Sequence, residues 1–159
     1  MTHFGKYRGT VINNVDPTQQ GRIQVAVPDL GIDSNWAMPC VPFAGDNAGF
    51  LALPSIGSNV WIEFERGEID YPIWVGAFWA RPLVPGAQSG AHSSITFMTP
   101  GGAALTIDDT LNKGIELKTA LGAHLSISET GITISNGQGA SLTLIGPSII
   151  LNQGAFVVT

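Results

Sequence analysis

Between residues 105 and 144 the chain repeats one short unit: two apolar residues flanking a polar one, then a turn rich in glycine. The pairs are Leu105 and Ile107, Ile115 and Leu117, Leu125 and Ile127, Ile132 and Ile134, and Leu142 and Leu144. Successive pairs lie ten residues apart, with one step of seven from Leu125 to Ile132. A spacing of two puts both members of a pair on one face of a strand. Thr106, Glu116, Ser126, Thr133 and Thr143 take the opposite, wet face. Gly114, Gly122, Gly131, Gly137 and Gly139 fall between pairs, where corners need positive φ or close approach. A fixed short period of strand and corner predicts a β-helix or solenoid.

Such strands need something to pack against, and this half of the chain offers little. Of the thirteen aromatic residues only Phe97 and Phe156 lie beyond position 80. A single-chain solenoid uses repeats of about twenty residues or more to stack a broad interior. Three copies about one axis solve the difficulty. The expectation is a triple-stranded β-helix formed by an intertwined homotrimer, with each layer drawing a strand from every chain. Leu105, Ile107, Ile115, Leu117, Leu125, Ile127, Ile132, Ile134, Leu142 and Leu144 then meet on the trimer axis. Eight layers at about 4.8 Å each would make a rod roughly 40 Å long. A monomeric solenoid is the alternative.

The N-terminal half is different in composition. It holds all four tryptophans, Trp36, Trp61, Trp74 and Trp79. Strand signals recur at 7–13, 21–28, 36–42, 58–65 and 71–79, separated by clusters of turn formers. In the fourth, Val60, Ile62 and Phe64 share one face, with Trp61, Glu63 and Glu65 on the other. No stretch shows helical spacing. Five short strands with a longer connection at 43–57 fit an OB-type five-stranded barrel. The fold class is therefore all-β: a barrel at 1–82, a linker rich in proline, glycine and serine at 83–94, and the β-helical needle at 95–159.

Composition excludes several function classes. Apolar content of 44% is far above that of a disordered chain. No apolar run approaches the roughly 18 residues of a membrane helix. The start, MTHFGKYRG, lacks the apolar region of a secretory signal, so synthesis in the cytoplasm without a signal peptide is expected. A net charge of −5 argues against a nucleic-acid-binding surface. Cys40 is read as a small buried core residue and excludes an internal disulfide, being the only cysteine.

The search for chemistry finds no catalytic centre. Glu63 and Glu65 with Glu68 and Asp70 raise paired-carboxylate hydrolysis, but a solvated strand face and acidic turn account for them. Asp108 and Asp109 fall where turn formers belong. His3, His92 and His124 are scattered, with His124 facing solvent, so no metal site is expected. TPGGAAL at 99–105 has no following helix and cannot act as a phosphate loop. No cofactor is implied, and the chain reads as a non-enzyme.

The stretch PSIGSNVWIEFERGEIDYPIWVG, residues 54–76, resembles the OB domain of phage baseplate protein V and of VgrG-type spikes. The matching positions are Pro54, Gly57, Val60, Phe64, Glu65, Gly67, Glu68, Pro72, Ile73, Val75 and Gly76. YRGTVINNVDPTQQGRIQVAVPDL is similar to that family's first hairpin. An OB domain followed by a glycine-punctuated repeat is also the family's layout. The resemblance implies a homotrimeric central spike of a contractile phage tail or tail-like injection particle. Its OB collar would sit on a baseplate hub protein, with Trp61 or Trp79 as candidate contacts. The needle would pierce the target envelope mechanically, touching it only transiently. The apolar end, Phe156, Val157 and Val158, would carry a small conical PAAR-type tip protein. Two other classes compete: an OB-fold module binding oligonucleotide or oligosaccharide, and a trimeric β-helical receptor-binding fibre or depolymerase.

Overall fold

A computed structural model of the chain describes residues 1–81 and 94–158. The proposed linker, with His92 and its neighbours, lies almost wholly outside the described residues. The chain divides into two compact units at residue 82. Both are built of strands and short 3₁₀ turns, with no α-helix among the described residues.

In the first unit the strands are β1 (Tyr7–Asn13), β2 (Gln24–Val27), β3 (Ile32–Asp33), β4 (Met38–Pro39), β5 (Ala44–Gly45), β6 (Ala48–Gly49), β7 (Asn59–Phe64) and β8 (Pro72–Ala77). Six of them form one sheet in the order β3-β2-β1-β7-β8-β4. Every pairing is antiparallel except β4 with β8, which is parallel. A bridge from Ile23 to Ala37 ties the β2 side back toward β4 and curls the sheet into a half-barrel. Inside it lie Val11, Ile23, Val25, Val27, Ala37, Val60, Ile62, Phe64 and Trp74. Val60, Ile62 and Phe64 are buried as the alternation predicts, whereas Trp61 and Glu63 are half-buried on the outer face. The third expected strand shrinks to Met38–Pro39, because Pro39 and Pro42 have no N–H to donate.

Cys40 departs from expectation. It is exposed. Its backbone N–H donates to Trp74 O at 3.0 Å, and it is the neighbouring Val41 that packs on the core. One step of strand alternation decides which of the two points inward.

The second unit contains β9 (Ser94–Met98), β10 (Ala104–Asp108), β11 (Gly114–Lys118), β12 (His124–Ser128), β13 (Gly131–Ser135), β14 (Ser141–Ile145), β15 (Ser148–Leu151) and β16 (Phe156–Val158). They form one eight-stranded sheet in sequence order, each strand antiparallel to the next. Strands β10 to β15 thus have both edges filled by their own chain. The interleaving of three chains within one hydrogen-bonded ladder, expected from the repeat, is replaced by pairing within a single chain. The cause is loop length. Connections of about five residues or fewer make hairpins, while a coil that returns parallel needs a dozen or more.

Candidate functional site

The register of the second sheet brings the repeat together. Row one runs Ile95, Ile107, Ile115, Ile127, Ile132, Leu144, Ile149 and Val158, each opposite the next across the ladder. Row two runs Phe97, Leu105, Leu117, Leu125, Ile134, Leu142, Leu151 and Phe156. Members of the two rows alternate at spacing two along each strand, so both rows belong to one face. All ten residues singled out from the periodicity lie on it. Directly opposite neighbours on one face stand about 4.5–5.5 Å apart, close enough to make two continuous apolar stripes.

This face is uncovered within the chain. Ile95, Phe97 and Leu117 are each more than half exposed, at 56%, 54% and 53%. Ile107, Ile115, Ile127, Ile134, Ile149, Leu151 and Phe156 are exposed too. No charged residue occupies either row. Asp108, Glu116 and Lys118 sit on the opposite face by alternation, and Asp109, Lys113 and Glu129 sit in turns. Lys118 Nζ lies 3.5 Å from Glu116 Oε2, and both are open to water. The sheet therefore has one wet face, led by Thr96, Thr106, Glu116, Ser126, Thr133 and Thr143, and one dry face with nothing over it. A contiguous apolar surface of this kind marks an interaction site.

Four members of the stripes, Ile95, Phe97, Ile149 and Leu151, are missing from the sequence reading. The signal was present. Ile95 and Phe97 precede Leu105 and Ile107 by ten residues, and Ile149 and Leu151 follow Leu142 and Leu144 by seven. In the backbone register of the last pairing, Phe156 stands opposite Leu151, Val157 opposite Ile150 and Val158 opposite Ile149.

Glycine is required at the strand starts. A Cβ on Gly131 would lie 2.2 Å from Leu144 O, and one on Gly114 would lie 2.2 Å from Ile127 O. Both have positive φ, at 155° and 84°. His124 is half-buried on the wet face, and its Nδ1 is 3.0 Å from Gly122 O.

In the first unit the motif residues turn out to hold the backbone. Pro54 O accepts from Asn14 Nδ2, and the Gly57 N–H donates to Val11 O. Gly67, buried with φ of 78°, accepts from the His3 N–H. Phe64 and Pro72 are buried as a cross-strand pair, Glu65 N–H bonds to Tyr71 O, and Gly76 sits at the irregularity in the β7–β8 pairing. The loop before β2 closes around Asp16, which accepts from the Arg22 guanidinium at 2.7 Å. That guanidinium, helped by the backbone N–H groups of Thr18, Gln20 and Arg22, holds the carboxyl well below the usual carboxylate range against the opposing effect of desolvation. Arg22 in turn lies over the Trp36 ring.

The two candidate contact tryptophans differ. Trp61 is half-buried, stacked with Phe78 at 4.6 Å and covered by the Arg8 guanidinium. Trp79 is 62% exposed. A further apolar segment was not foreseen. Phe43, Phe50, Leu51, Leu53 and Ile56 are all exposed in the connection that carries the β5–β6 hairpin.

Glu63 is paired with Lys6, and Glu65 belongs to a 3₁₀ turn. Among the described residues no three of His, Cys, Asp and Glu cluster in a way that could hold a metal. No helix among them is long and apolar enough to cross a membrane.

Comparison with known families agrees with this division. Residues 7–90 match the family model described as the type VI secretion system and phage-baseplate injector OB domain. Residues 94–157 match the phage baseplate V C-terminal trimerisation domain. No curated protein sequence matches the chain.

Proposed function

We propose that this chain, which belongs to the family of type VI secretion system and phage-baseplate injector OB domains, is the central spike of a contractile injection particle. Family membership makes it a structural baseplate component that associates with copies of itself. The finer reading rests on one observation: two apolar stripes, eight residues long, on a face that its own chain leaves bare.

Three such faces turned toward a common axis bury all of them and leave the Thr, Ser, Glu and Lys face outward. Each layer then contains one strand per chain, and the ten residues from Leu105 to Leu144 line the axis with Ile95, Phe97, Ile149 and Leu151. Resistance to buckling comes from this dry packing between faces together with ladder bonds inside each chain. The OB unit is the collar that meets the baseplate hub, through Trp79 and the exposed segment from Phe43 to Ile56. β16, at the open end of the meander, receives a small tip protein of the PAAR kind. Puncture is mechanical and needs no catalytic group.

Light scattering coupled to size exclusion tests this on the full-length protein. A mass near three times 16.7 kDa that survives dilution is the expected result. A stable monomer would sink the spike reading, and an OB-fold binding module would take its place.

A further inference from the structure

We propose that the peptide link Asn136–Gly137 is a spontaneous deamidation site and that the Ser135 hydroxyl is a brake on it. Asn136 is the sole asparagine in the sequence followed by glycine. The reaction needs the Gly137 backbone nitrogen to lose its proton and attack the Asn136 side-chain carbonyl carbon. Ammonia leaves and a cyclic imide forms. Water then opens the ring at either carbonyl, giving aspartate or isoaspartate; the sum is amide plus water to acid plus ammonia. Glycine makes the attack easy because no Cβ obstructs it and its backbone reaches conformations closed to other residues.

The local geometry pulls in two directions. Asn136 Oδ1 accepts the N–H groups of Gln138 at 2.9 Å and of Ala140 at 3.0 Å. Two backbone donors on a carbonyl oxygen are the arrangement that stabilises a tetrahedral oxyanion. The electrophile is therefore already polarised, and the loop is exposed to water. The nucleophile is restrained. Gly137 N–H donates to Ser135 Oγ at 3.1 Å, which keeps the proton on nitrogen and the nitrogen turned toward Ser135. Ser135 is the last residue of β13, so its position is fixed by pairing with Ser141.

The product would matter to assembly. Isoaspartate adds one carbon to the main chain within the five-residue loop joining β13 to β14. That loop has no slack: a Cβ on Gly137 would come within 2.7 Å of the Gly122 carbonyl carbon in the next loop. Asn136 N–H also bonds to Ala140 O across the loop. Lengthening it disturbs the pairing that sets Ile132 opposite Leu144 and Ile134 opposite Leu142 on the apolar face. On the reading of this chain as part of an injection particle assembled before it is used, a brake at this link lengthens the working life of that face.

The test is peptide mapping by mass spectrometry after timed incubation of the full-length protein at mildly alkaline pH. Wild type, Ser135→Ala, Ser135→Gly and Ser135→Thr are compared, with oligomer mass checked in every sample. Removing the hydroxyl should speed conversion at Asn136 by about five- to tenfold, the rate equivalent of one ordinary hydrogen bond. Both Ser135→Ala and Ser135→Gly should show it, while Ser135→Thr keeps the wild-type rate. Conversion no faster in either hydroxyl-free variant, or equally fast in Ser135→Thr, overturns the proposal.

Discussion

Ile127 and Ile132 stand directly opposite one another across β12 and β13, joined by a turn in which only Glu129 and Thr130 are unpaired. Ile127 is odd-numbered and Ile132 even, yet both lie on the apolar face. The explanation is turn length. An odd number of unpaired residues between two antiparallel strands keeps inward positions at the same parity, and an even number switches it. Loops 99–103, 109–113 and 119–123 keep it odd through β12. The two-residue turn at 129–130 switches it, the five-residue loop 136–140 keeps it, and Gly146–Pro147 switches it again. The step of seven in the repeat is this short turn.

Inserting one glycine between Ile132 and Thr133, inside the paired stretch of β13, should turn the rest of β13 and every later strand over and place Thr133 and Thr143 on the apolar face. Assembly should be lost. A second inserted glycine restores parity and should restore most of it. Light scattering distinguishes the three proteins; equal mass for both insertions would refute the parity account.

Leu117→Asp places a carboxylate in the middle of a stripe, where three copies would meet. An unpaired buried charge costs several kcal/mol, so the variant should sediment as a monomer at concentrations where wild type is assembled. Thr106→Asp, on the wet face, should leave the mass unchanged.

Gly131→Ala meets Leu144 O at a distance no real Cβ shows and forces a left-handed φ on alanine. Strain of this kind costs about 1–3 kcal/mol before any clash. The loss should appear as a lower denaturant midpoint for the second unit. Gly101→Ala, with its nearest neighbour at 3.9 Å, is the control and should change little.

Asp16 gives the OB unit a defined acid response. Its carboxyl titrates lower in the folded chain than in the unfolded one, where the ordinary value of 3.8 applies. The unfolded chain therefore binds its proton first as pH falls. The stabilisation is full above that value and is lost progressively below it. Asp16→Asn should lower the thermal midpoint at neutral pH and flatten the decline between neutrality and strong acid. A variant with the wild-type acid profile would show that the Asp16–Arg22 pair carries none of it.

Removing residues 154–159 deletes β16 and exposes the edge of β15. The remaining seven strands keep their own ladder and most of both stripes, so self-association should persist. Binding of a tip protein should disappear, measured by co-purification. A tip that still binds would place its site elsewhere.

Much of this architecture was legible from residue order alone. Alternation at spacing two identified strands and assigned each residue to a face, because a pleated strand leaves no other choice. The buried face of β7 and ten of the sixteen residues in the two stripes follow from that periodicity. So does the need for an external partner, since two small apolar residues per strand cannot enclose a core. Tertiary structure decided which edges pair. Short loops make each strand bond to its own predecessor, so the ladder from β9 to β16 is built within one chain. It also placed Cys40 outside and Val41 inside, a choice set by a backbone bond to Trp74 that lies far away in sequence. Local pattern fixes which way a side chain alternates, but which strand fills an edge depends on loop closure and long-range hydrogen bonding.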